Sequence, residues 1–101
     1  MTNKLKIILD TVSGYYGITM GELRGHHRYS RVVWPRQLCM ALGAAYKLPH
    51  KEIASALRRH RTLISYSYRI VMRRKETEPK RRVEIERIIK RIKENETWRV
   101  W

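Results

Sequence analysis

The sequence predicts an all-α fold, a bundle of five or six helices. Apolar residues recur at three- and four-residue spacing, Thr, Gly and Pro stand where those stretches start and stop, and no stretch alternates convincingly like a strand. A chain of 101 residues is expected to make one domain, with a modest core and no room for a second module. No internal repeat or low-complexity tract interrupts it.

Leu5, Ile8, Val12, Tyr15 and Tyr16 line one face of a first helix over residues 4–16, and Gly17 suits its C-terminal cap. Thr19-Met20-Gly21-Glu22 has the T-x-x-E form of a capping box, so a short second helix starts there and ends at Gly25. Residues 26–31 (His26-His27-Arg28-Tyr29-Ser30-Arg31) carry no periodic apolar residue and read as an exposed basic loop. Val33, Gln37, Leu38, Ala41, Leu42, Ala45 and Tyr46 predict a central third helix, with Pro35 expected in its first turn. Leu48-Pro49 resets the chain before a short helix over 51–57. After a break at 58–61, Thr62 is expected to cap a further helix carrying Ile64, Ser67 and Ile70. Pro79 forces Glu78 out of helical geometry. Val83, Ile85, Ile88, Ile89 and Ile92 then form the apolar stripe of a last helix. The domain is drawn over residues 1–95, with 96–101 as an aromatic tail. Trp98 and Trp101 are expected to pack back onto the bundle, the alternative being a docking tail for a protein partner.

Charge narrows the function. There are 23 Lys and Arg against nine Asp and Glu, a formal net charge of +14, which favours an anionic partner. Residues 1–23 are neutral, residues 24–75 hold 13 cations against the single acid Glu52, and residues 76–101 hold eight against six. The positive field therefore belongs to a folding, apolar-interleaved segment and not to a solvated tail. Cys39 is alone in an apolar run, which fits a reducing compartment and allows no internal disulfide. Neither a signal peptide nor the ~18 apolar residues of a membrane span is visible, so a soluble, cytoplasmic, nucleoid-associated protein is expected.

Two helices of about seven and twelve residues, joined by a short turn in the most basic part of the chain, make a helix-turn-helix over residues 51–74. In that arrangement the first helix braces the second, whose N-terminal residues enter the major groove of duplex DNA. Arg59, His60, Arg61 and Thr62 stand at that N-terminus. An arginine there can bond guanine bidentately, worth about 1–3 kcal/mol of discrimination.

The stretch from Ile8 to Ile70 resembles the C-terminal DNA-binding domain of the bacterial replication initiator DnaA, which has a Trp-repressor-like helix-turn-helix. The likeness rests on Asp10 to Leu23, on Trp34-Pro35-Arg36-Gln37 with the apolar spacing after it, and on the I-x-x-A of Ile53 to Ala56 before the turn. It implies binding as a monomer to a short asymmetric box in double-stranded DNA. On this resemblance Arg28 enters the minor groove with Arg31 assisting, and Arg36 and Gln37 clamp phosphates. Lys51, Arg58, Arg59, His60, Arg61, Thr62 and Leu63 complete the expected DNA-binding set. The turn departs from the family's G-G-R-D-H-T-T run: it reads Arg58-Arg59-His60-Arg61-Thr62-Leu63, one residue shorter, with His60 and Arg61 in place of Asp and His. An acceptor for a cytosine amino group is thereby lost and a cation gained, so the family's target box does not transfer.

Other chemistry finds little support. His26, His27, His50, His60 and Cys39 show no metal-ligand spacing, and two of the histidines lie in a cation-repelling loop. Asp10 near Ser13 has no positioned histidine, and no G-x-x-x-x-G-K-S/T is present. No enzyme, metal or cofactor is expected, and no ATP-driven unwinding by this chain alone. Regulation of replication or transcription is the predicted role. The alternatives are an RNA-binding protein, in which Tyr29, Tyr66 and Tyr68 stack on bases, and a sequence-blind nucleoid coating factor.

Overall fold

The structure, a computed structural model, describes residues 2–26 and 29–100, the side chains of 97–100 excepted. Its described residues form α1 (Asn3–Tyr16), α2 (Met20–Arg24), α3 (Ser30–Ala45), α4 (His50–Leu57), α5 (Thr62–Thr77) and α6 (Pro79–Val100). The fold class is as the periodicity predicts: all helix, six elements, no strand among them.

Punctuation residues set most boundaries. Thr2 caps α1 through its hydroxyl, and Gly17 ends the helix in the left-handed region at φ 65°, a conformation that costs a residue with a Cβ about 1–2 kcal/mol. Thr19 and Glu22 complete the capping box of α2 reciprocally. Glu78 is extended, α5 stops at Thr77, and Pro79 opens α6 where a missing N–H costs nothing.

Two boundaries depart from expectation. α3 begins at Ser30, with Tyr29 as its N-cap, so Arg31 belongs to the helix and not to the preceding loop. Pro35 consequently lies inside α3, beyond the first turn, where its ring withholds the amide that the Arg31 carbonyl would receive. α6 runs on without a break to Val100, so residue 96 opens no separate backbone element. The packing of Trp98 and Trp101 lies outside the described side chains.

α3 is the hub. Val32, Trp34, Leu38, Cys39, Met40, Ala41 and Leu42 are all buried, because α1, α2, α4 and α5 pack around this one helix. Gly43 lets α4 approach: a Cβ there would lie 2.7 Å from Ile53 Cδ1. α1 contributes Leu5, Ile8, Leu9 and Val12, and α6 closes the bundle against α1 and α5 with Ile85, Ile88 and Ile92. Val83, expected in that stripe, is 41% exposed because it lies off the arc facing α1.

A polar chain fixes α6 to the hub. The Trp34 indole Nε1 donates to the Tyr16 hydroxyl at 2.8 Å, and that hydroxyl donates to Glu84 at 3.2 Å. The guanidinium groups of Arg74 and Arg81 stand 4.7 and 4.6 Å from the Trp34 ring, and each is also paired, with Glu78 and Glu84 respectively. Burial holds the Tyr16 phenol well above its ordinary range. No described helix is long and apolar enough to cross a membrane.

Candidate nucleic-acid interface

α4 and α5 are joined by residues 58–61. Arg58 reverses the chain at φ 54°, and its amide and that of Arg59 bond the last carbonyls of α4, from Ala54 and Ser55. The chain enters α5 through Arg61, which has no side-chain cap bond. Thr62 therefore does not cap the helix, since it is already its first residue. His60 caps it instead, its Nδ1 accepting from the Thr62 N–H at 3.2 Å, and the Thr62 hydroxyl lies 2.9 Å from the same atom. The imidazole is thereby tied to the first residue of α5 through Nδ1.

Arginines on either side tie the turn to the end of α2. Arg24 Nε donates to the Ala56 carbonyl at 2.8 Å, bonding the C-terminal end of α4. In return Arg59 donates to the Arg24 carbonyl at 3.1 Å and to the Gly25 carbonyl. Arg36 reaches the same place from α3, with Nε on the Leu23 carbonyl at 2.7 Å and Nη2 on the Glu22 and Gly25 carbonyls at 3.1 and 3.2 Å. A five-residue helix has almost no carbonyl satisfied internally; two guanidinium groups supply the missing donors. Burial first, and the neighbouring Arg59 charge second, lower the Arg36 pKa.

Two of the expected DNA-binding arginines have partners within the protein. Arg36 is 7% exposed, with its guanidinium on backbone carbonyls. Arg59 is half-buried and points toward α2, leaving Arg61 as the arginine at the α5 entrance. Arg31 pairs with Glu22, an exposed ion pair that, with the Thr19 amide, holds the Glu22 carboxyl below its ordinary pKa. Gln37 is half-buried, and Lys51, Arg58, His60, Arg61, Thr62 and Leu63 are all exposed. Lys51 lies on α4; the rest of that exposed group clusters at the turn and the start of α5. Arg28 lies outside the described residues, between His26 and Tyr29, both exposed.

The outward face of α5 supplies what the sequence reading missed. Ile64, Ser67 and Val71 turn inward, so Thr62, Tyr66, Arg69 and Arg73, at helical spacing on the opposite side, turn outward and are exposed. Tyr66 and Tyr68 are both exposed, at 51% and 38%. The inward row begins with Ile64 and Ser67 as the spacing predicts, Ser67 being buried against Met40 sulfur at 3.7 Å, but its third member is Val71, with Ile70 only half-buried. Among the described residues no group of three or more His, Cys, Asp or Glu is placed to hold a metal. Cys39 is fully buried, and burial raises its thiol pKa far above the ordinary value.

A helix with an exposed, cationic first turn, packed behind a shorter helix across a tight turn, is a helix-turn-helix geometry. The family model for the bacterial DnaA protein helix-turn-helix matches residues 5–71. A comparison with curated proteins finds no match. The matched span takes in α1 to α4 and α5 as far as Val71, leaving α6 as an addition beyond it. With about two thirds of its length matched, the chain belongs to the bacterial DnaA helix-turn-helix family, a family of DNA-binding domains.

Proposed function

We propose that this protein is a sequence-specific duplex-DNA binder that regulates replication initiation or transcription, binding its site as a monomer. The observation that carries the reading is the α5 entrance: His60, Arg61, Thr62 and Leu63 are all exposed there, with the His60 ring tied to Thr62. The major groove displays acceptors at guanine O6 and N7 and a methyl at thymine. Arg61 suits the first, and the Leu63 side chain the second. Basic residues of the loop and of α4 add salt-sensitive backbone affinity without reading sequence.

The test is selection of preferred duplexes from a random pool, followed by competition with the corresponding single strand and RNA. A preferred duplex that outcompetes both supports the reading. Arg61→Ala should then lose preference at one or two base pairs, a change of about 1–3 kcal/mol. Preference for single strand or RNA, or equal binding of all duplexes at moderate salt, would overturn it.

A further inference from the structure

Where α3 ends and α4 begins, a hollow of about 240 Å³ opens against the flank of α5, lined by Ala44, His50, Ser65, Tyr68 and Arg69. Four of these five residues bring hydrogen-bond donors: an imidazole, two hydroxyls and a guanidinium. No carboxylate lines it. Among the described residues none of these four side chains makes a hydrogen bond, ion pair or ring contact, whereas Arg24, Arg36, Arg59, Arg74 and Arg81 are all engaged internally. Unengaged donors around one hollow, with a fixed positive charge and no acid, describe a receptor for a single anion.

We infer that His50, Ser65, Tyr68 and Arg69 form a cradle for one backbone phosphate of the bound duplex, an inference that rests on the duplex-binding reading above. The physical reason is dimensional. A helix with its side chains is about 10–12 Å across and the major groove is about 12 Å wide. The flanks of an inserted helix therefore lie against the phosphate walls. Arg69, at the edge of the outward row of Thr62, Tyr66 and Arg73, and Ser65, one turn before it, stand on such a flank of α5. His50 closes the hollow from the first residue of α4, so the phosphate is held between brace and reader. Its role is to fix how deeply and in which register α5 enters, without contributing base preference.

The test pairs a neutral-linkage scan with substitution. Each phosphate of a preferred duplex is replaced singly by methylphosphonate, and affinity is measured for the wild-type protein and for Arg69→Gln and His50→Gln, exposed sites whose loss leaves the helical circular dichroism intact. The cradle predicts that Arg69→Gln weakens all duplexes on the order of tenfold, lowers the salt slope by about one and leaves base preference unchanged. It further predicts one linkage at which neutralisation weakens the wild type but has little added effect on Arg69→Gln. Additive losses at every linkage overturn the cradle while duplex binding stands. Failure of the wild type to bind any duplex overturns both. Saturation of His50 and Arg69 resonances by millimolar inorganic phosphate, with no coupled linkage on DNA, assigns the hollow to a free anion and overturns the phosphodiester.

Discussion

Replacing Arg36 with alanine should damage the fold and not the DNA interface directly. Among the described residues its guanidinium donates to the carbonyls of Leu23, Glu22 and Gly25, from a site that is 7% exposed. A hydrogen bond to a charged group is worth about 1.5–3 kcal/mol net. Two effects reduce the sum: the guanidinium is itself costly to bury, and Arg59, which shares the Gly25 carbonyl, is relieved of a like charge. A net loss of about 3 kcal/mol follows, a large part of a total near 5–15 kcal/mol. For a domain of this size that is roughly 12–24 °C in Tm. Differential scanning calorimetry measures it, and titrations at several salt concentrations measure the slope in parallel. The fold reading predicts a large Tm loss with an almost unchanged slope at temperatures where the variant is folded. An unchanged Tm with a slope lower by about one would mean that Arg36 contacts phosphate and that its carbonyl bonds count for little.

Arg58→Gly should raise stability by roughly 0.5–1 kcal/mol, because φ 54° is strained for a side-chain-bearing residue, while duplex affinity falls with the lost cation; melting and titration together check both signs. Cys39 should resist a thiol-alkylating reagent in the native state and react only on unfolding, since burial keeps the thiol protonated; rapid native labelling would contradict the packing of α3. Stability should also fall at alkaline pH. The folded pKa values of Cys39 and Tyr16 are raised above ordinary values of 9.0 and 10.0, so the folded state binds protons that the unfolded chain releases. The contribution is complete below pH 9 and declines as pH climbs past those ordinary values, a trend that Tm measured from pH 8 to 10.5 will show.

Elements were legible in the sequence where the signal is local. Gly17, the Thr19–Glu22 box and Pro79 act within one turn of where they stand, and each sets the boundary it predicts. Pro35 misleads for a related reason. A proline is tolerated best in a first turn, and only the tertiary environment of α3, buried on nearly every side, makes an internal one acceptable. The arginines were illegible in a deeper way. In a segment with 13 cations, nothing local distinguishes one that meets DNA from one that meets a carbonyl. What decides is which helix ends lie unsatisfied nearby, and the end of α2 comes close to Arg36 and Arg59 only after the chain has folded.

The same distinction bounds the electrostatics of binding. Of the 13 cations in residues 24–75, Arg24, Arg36 and Arg59 bond carbonyls while Arg31 and Arg74 are paired with glutamates. That leaves eight to meet phosphate. Each neutralised phosphate contributes about 0.9 to the slope of log K against log salt, so the middle of the chain can supply a slope of at most about 7 in magnitude. All eight cannot face one groove together, since Lys75 lies near the far end of α5. A measured slope of about 4–6 is therefore expected. The outer surface of α6 carries Lys80, Arg82, Arg87 and Lys90 but interleaves them with Glu86, and its buried face is committed to α1 and α5. A slope steeper than about 7 would require α6 to reach the duplex. Charge reversal of Lys80 and Arg87 decides that case: a slope that falls in the double variant places α6 on DNA, and an unchanged one returns the excess to arginines that the fold holds inward.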